Sequence, residues 1–140
     1  MSQRIVAAAR GWIGTPYVHQ ASVKGAGTDC LGLVRGIWRE LYGPEPEALP
    51  AYTPDWGEAG AQELLLGGAG RLLLPAGPEA AGDVLIFRMR SGAIAKHMGI
   101  LAETGASFVH AYDRHGVVES PLSAPWRAKI AGRFRFPPLT

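Results

Sequence analysis

A chain of 140 residues has the usual size of one domain, enough for a single core and too little for two. With 47% hydrophobic and 19% charged residues it is expected to fold, and the 30 Gly and Pro residues call for many turns and loops. The net charge of +2 is spread without a basic stripe, which argues against nucleic acid as a partner.

The first ten residues lack the uninterrupted apolar stretch of a secretory leader, so synthesis in the cytoplasm without a signal peptide is the expectation. The longest apolar run, around Leu64 to Leu74, is broken by three glycines and Arg71 and falls short of the roughly 20 residues a membrane span needs. No membrane insertion is expected. A single cysteine, Cys30, excludes an internal disulfide and leaves its thiol as a small core hydrophobe or a reagent.

In chain order, Ile5, Ala8, Ala9, Trp12 and Ile13 have helical spacing, and Gly14-Thr15-Pro16 stops that helix. Tyr17 to Thr28 reads as a loop leading to a second start signal at Asp29. From Cys30, the stripe Leu33, Val34, Ile37, Trp38, Leu41 predicts an amphipathic helix closed by Gly43-Pro44. Pro44 to Gly57 holds four prolines and reads as an extended connector, and Glu58 to Leu66 as a short helix ending at Gly67-Gly68. Leu72-Leu73-Leu74 fits either a short buried strand or a helix end.

Strands are expected at Val84 to Phe87, His97 to Leu101, Ser107 to Tyr112, Gly116 to Glu119 and Ile130 to Phe136. Helices precede strands, so the class is α+β, with an antiparallel sheet of about five strands. One domain over 1–140 is expected, with about 44–78 as a Pro/Gly-rich insert.

Cys30 falls at the start of the second helix, where unsatisfied backbone N–H groups and the positive dipole end favour a thiolate. A nucleophilic thiol also needs a base and a third group to orient that base. His97 begins one expected strand and His110 lies on the next, so a hairpin turning at Thr104-Gly105 can bring the two rings to one face. The competing readings are a buried structural cysteine and strand histidines satisfied by backbone carbonyls. A zinc site is chemically open to these residue types, but no Cys-x-x-Cys or His-x-x-x-His pair supplies a compact ligand frame, so no metal and no cofactor are expected.

Three segments resemble the NlpC/p60 family of papain-like bacterial cell-wall cysteine peptidases. The first is Gly14-Thr15-Pro16-Tyr17 followed by Gly27-Thr28-Asp29-Cys30-Leu31-Gly32-Leu33-Val34, the second Ala81-Gly82-Asp83-Val84-Leu85-Ile86-Phe87, and the third His97-Met98-Gly99-Ile100 with Phe108-Val109-His110-Ala111. They occur in the family's order. The resemblance implies a papain-like fold with Cys30 as nucleophile, His97 as general base and acid, and His110 orienting its ring. It further implies that Tyr17 faces the nucleophile and helps the Cys30 N–H hold the oxyanion. Asp29 matches a residue that caps the helix and, in some relatives, meets a substrate amine; capping alone is the plainer reading.

The chain also departs from the pattern. Leu31 stands where relatives usually carry Ser, which puts exopeptidase-like selectivity in doubt. Val18-His19-Gln20-Ala21 replaces an aromatic-Gly-Gly, altering one wall of the cleft, and His19 is a candidate lining residue. His115 is expected in solvent. The Asp29-Cys30-Leu31-Gly32 variant, the short chain and the missing leader look most like the branch encoded with phage tails and gene transfer agents. Expected partners are therefore peptidoglycan stem peptides and phage-like tail proteins, with delivery by a tail particle to the cell wall or periplasm. The alternatives are a tail-assembly subunit keeping the fold without turnover, and an amidase or acyltransferase using the same triad. The Pro-rich stretch with Tyr52 and Trp56 reads as a docking surface or a lid.

Overall fold

The computed structural model describes residues 2–46, 64–90 and 95–139. Helix α1 (Ser2–Arg10) buries Ile5, Val6, Ala8 and Ala9, and the turn after it buries Trp12, whose indole N–H donates to Glu40 at 3.1 Å. The expected helix thus ends three residues early. The stretch read as a loop carries a small hairpin, β1 (Ser22–Val23) and β2 (Gly27–Thr28). Helix α2 (Cys30–Tyr42) follows as expected and buries Cys30, Leu33, Val34 and Ile37.

Helix α3 (Leu64–Leu72) does not stop at Gly67-Gly68 but runs through both and through Gly70. Glycine weakens a helix, yet Leu65, Ala69 and Leu73 follow one another at four-residue spacing and are all buried, so tertiary packing outweighs propensity. The expected start at Glu58, the greater part of the Pro-rich connector, Tyr52 and Trp56 lie outside the described residues. Leu72 ends the helix, and β3 (Leu74–Pro75) is an exposed two-residue edge strand.

The other strands are β4 (Val84–Phe87), β5 (His97–Glu103), β6 (Ser107–Tyr112), β7 (Gly116–Pro121) and β8 (Ile130–Arg135). Among the described residues they form one antiparallel six-stranded sheet in the order β3-β8-β4-β5-β6-β7. The sixth strand beyond the five expected is β3. A short helix that the sequence reading missed, α4 (Ala124–Ala128), precedes β8.

Alternation along the strands creates two apolar faces. On one, Val84, Ile86, Met98, Ile100, Ala102, Val109 and Ala111 pack with the buried residues of α1 and α2, Cys30 among them. On the other, Leu85, Phe87, Leu101, Phe108 and Leu122 pack with Trp126 of α4. Asp83, fully buried, ties β4 to β8 by accepting from Arg133 at 3.2 Å and Arg135 at 3.0 Å. Among the described residues no helix is long and apolar enough to cross a membrane.

Candidate active site

Asp29 builds the corner that holds the cysteine. Its backbone is extended, and its Oδ1 accepts from the Gly32 amide at 2.7 Å, capping α2. Its Oδ2 accepts from the Gln20 amide at 2.8 Å, so the same carboxylate tethers the preceding loop. Gly32 lets the two approach, since a Cβ there would collide with the Ala21 carbonyl oxygen. His19 stands beside this corner, its Nδ1 3.9 Å from Asp29. Leu31 is partly buried against the core.

Cys30 therefore occupies the first residue of α2, 2% exposed. Its Sγ lies 4.0 Å from the Lys96 carbonyl oxygen, which accepts a weak hydrogen bond from the thiol. The thiol thus abuts the backbone beside His97, where β5 begins. Burial pushes the thiol up to about 12, and the neighbouring Asp29 carboxylate adds to this, while the N–H groups of Met98, Leu31 and Cys30 pull the other way. Desolvation and the Asp29 charge thus oppose the thiolate that the helix N-terminus favours.

Tyr17 pairs with Thr28 in an isolated parallel bridge, which brings it alongside the segment entering α2. Its hydroxyl is pushed well above the usual range by burial, then by the negative charge that Cys30, Asp29 and Asp113 carry when ionised. The phenol therefore stays protonated as a donor near the cysteine.

The histidine pair forms as expected. Ring Nε2 of His97 lies 2.8 Å from Nδ1 of His110, and both residues are buried. The intervening face is cleared by Gly99, where a Cβ would stand 3.1 Å from the His110 Cβ and 3.0 Å from the Phe108 ring. The contact leaves Nδ1 of His97 as the ring atom for a reacting group. Burial lowers His97 to about 3 and His110 to about 4, with the charges of His110 and His115 respectively adding to it. Both rings are neutral at pH 7.

Two contributors were not anticipated. Trp126 packs over the pair, its ring centroid 5.7 Å from that of His97 and 5.2 Å from that of His110. The start signal Ser123-Ala124-Pro125, with Pro in the first helical turn, could have revealed its helix. Ser120 of β7 places its Oγ 2.8 Å from His110 Nε2, extending the pair to a chain of three polar groups. His115 is exposed as expected and stacks on Tyr112 with centroids 5.2 Å apart.

A buried thiol, an imidazole paired with a second imidazole and a phenol are the groups that nucleophilic acyl transfer uses. The thiol, however, packs on the sheet face of Met98 and Val109 against the Lys96 carbonyl, while the His97 ring packs on the other face with Phe87 and Trp126, so thiol and imidazole are not in contact. Among the described residues no cluster of three or more His, Cys, Asp or Glu is arranged to hold a metal ion. The NlpC/P60 family model matches residues 14–135, which contain all these parts. The chain belongs to the NlpC/P60 family. It is 32% identical over 137 residues to the gamma-DL-glutamyl hydrolase of Bacillus subtilis, covering 97% of this chain and 30% of that protein. With the Escherichia coli murein DD-endopeptidase MepS/murein LD-carboxypeptidase it shares 31% identity over 129 residues, 92% of this chain and 59% of the relative. The chain thus spans less than two thirds of either relative. An NlpC/P60 protein of Bacillus cereus has the same fold, with a TM-score of 0.69 at 18% identity over 99% of this chain and 41% of its own. So does the NlpC/p60 domain of the peptidoglycan hydrolase SagA, with a TM-score of 0.56 at 24% identity over 87% of this chain and 90% of its own. These likenesses support the α+β papain-like fold.

Proposed function

We propose that this NlpC/P60 chain is a cysteine peptidase that hydrolyses amide bonds in the stem peptides of bacterial peptidoglycan. The observation that carries the reading is the placement of the Cys30 thiol against the start of β5, the strand whose first residue is paired ring to ring with His110. The likeness to a murein endopeptidase and a glutamyl hydrolase supports the substrate class.

This mechanism requires a rearrangement at the start of β5 that brings the Cys30 S–H from the Lys96 carbonyl to Nδ1 of His97. The ring takes the proton as sulfur bonds to the amide carbon. Tyr17 O–H and the Cys30 N–H donate to the oxyanion. Collapse breaks the C–N bond, and His97 returns the proton to the leaving amine. Water then attacks the thioester, passing a proton to His97 and on to sulfur, and the carboxylate product leaves. Burial disfavours both the thiolate and the imidazolium, which favours proton transfer within the attack itself.

Delivery by a phage-like tail belongs to the same proposal, supported by the Asp29-Cys30-Leu31-Gly32 variant. Its partners would be tail proteins, and its place of action the cell wall. Detection of the chain in purified tail particles is the expected result; its absence from particles that contain the other tail proteins removes this part.

The deciding experiment incubates purified peptidoglycan with wild-type and Cys30→Ala protein and identifies new peptide termini by mass spectrometry. New termini from wild type alone, with Cys30→Ala folded and inert, are expected. Equal release by both would exclude the cysteine mechanism. No release by a folded wild type would favour a tail-assembly role or another acyl substrate.

A further inference from the structure

Ser120, His110 and His97 form a chain of two contacts, each 2.8 Å long, in which every ring nitrogen involved faces one partner. A neutral imidazole has one N–H and one lone pair. The three groups therefore have two concerted orders of protons. In the first, His97 Nε2–H donates to His110 Nδ1 and His110 Nε2–H donates to Ser120 Oγ, leaving a lone pair on Nδ1 of His97. In the second, Ser120 O–H donates to His110 Nε2 and His110 Nδ1–H donates to His97 Nε2, placing a proton on Nδ1 of His97. Heavy-atom positions are the same in both. Only the first gives His97 a basic atom for the thiol.

We infer that Ser120 is a positioning residue, the terminal acceptor that holds both histidines in the Nε2–H tautomer and so keeps Nδ1 of His97 a base. The inference rests on the catalytic reading of His97. Ser120 suits this role because its residue is half-buried on β7, where its own O–H can turn to solvent while Oγ accepts. Burial of the rings keeps water from substituting freely for it. Removing the hydroxyl leaves an orphan N–H in the first order and only an orphan lone pair in the second. A buried N–H without a partner is the costlier defect, so the balance moves toward the inactive order.

The test reads tautomers directly from long-range ¹⁵N–¹H correlation spectra of protein labelled with ¹⁵N-histidine, at pH 7. Wild type is expected to show His97 and His110 both as Nε2–H. Ser120→Ala should shift both rings toward Nδ1–H, and Ser120→Thr, which keeps the hydroxyl, should restore the wild-type pattern. Ser120→Asp, an acceptor without a donor, should hold Nε2–H. Turnover should follow, with kcat falling about tenfold in Ser120→Ala at little change in KM and returning in Ser120→Thr. An Nδ1–H tautomer on His97 in wild type, or unchanged tautomers in Ser120→Ala, overturns the inference. These spectra need no substrate, so they decide the role of Ser120 even if the peptidase reading fails.

Discussion

The indole of Trp126 covers the histidine pair together with Phe108 and Tyr112, and lies within 6 Å centroid to centroid of both rings as well as of Phe87, Phe108 and Tyr112. Burial is the largest cause of the low basicity of both imidazoles. Trp126→Ala should admit water and raise them toward the ordinary histidine value near 6.5. Because His97 must be neutral to accept the thiol proton, the acid limb of kcat/KM should move up by about one pH unit or more. Trp126→Phe should keep most of the shift. A limb that stays near pH 3 in Trp126→Ala would mean the indole does not set the environment of the pair. The placement of the cysteine and both histidines was legible in the sequence because each sits at an element's start or on a regular strand, while their roles came from the resemblance to the NlpC/p60 family. Trp126 was not, since it reaches the pair from a short helix outside the sheet, and Ser120, although only one hairpin away from His110, is a residue type that strands carry for many reasons.

At the scale of elements, the N-terminus of α2 opposes two effects on one sulfur. Its amide groups favour the thiolate, whereas the Asp29 cap and the buried setting oppose it. The sequence supports only the first effect, because the depth at which a helix start is buried depends on β5 packing over it. Alkylation of Cys30 by iodoacetamide at neutral pH should accordingly be slow in the free protein. Asp29→Asn removes the negative charge while its amide oxygen still accepts from Gly32. The thiol should then titrate about one unit lower and alkylate roughly tenfold faster at pH 8. Loss of the acceptor for the Gln20 amide should cost about 1 kcal/mol in denaturant unfolding. Unchanged alkylation in a folded Asp29→Asn would show that the carboxylate does not govern the sulfur. Helices α3 and α4 show the same limit of local reading. Glycine punctuation suggested a stop that buried Leu65, Ala69 and Leu73 override, and a five-residue helix is too short to leave a periodic signal.

For the whole molecule, placing two neutral imidazoles in the sheet's second apolar face couples the site to the stability of the fold. Unfolded, each histidine titrates near 6.5; folded, His97 titrates near 3 and His110 near 4. Between these values the unfolded chain binds more protons, so acidification favours unfolding. The contribution of the pair is fully present above about pH 6.5 and is lost progressively as pH falls toward the folded values. Paired carboxylates such as Glu45, Glu79 and Glu119, held low chiefly by hydrogen bonds from Arg35, Arg127 and Arg10, lose their contribution only in the lower part of this range. Thermal melts from pH 7.5 to 5 should therefore isolate the histidines, with wild type losing at least about 1 kcal/mol over that interval. His110→Asn, which replaces one titrating ring by a neutral amide, should flatten the slope even if its stability at pH 7.5 is lower. A wild-type slope that His110→Asn leaves unchanged would mean the pair is not the source. A confirmed slope would mean that the same burial that keeps His97 ready as a base at neutral pH also makes the fold sensitive to acid.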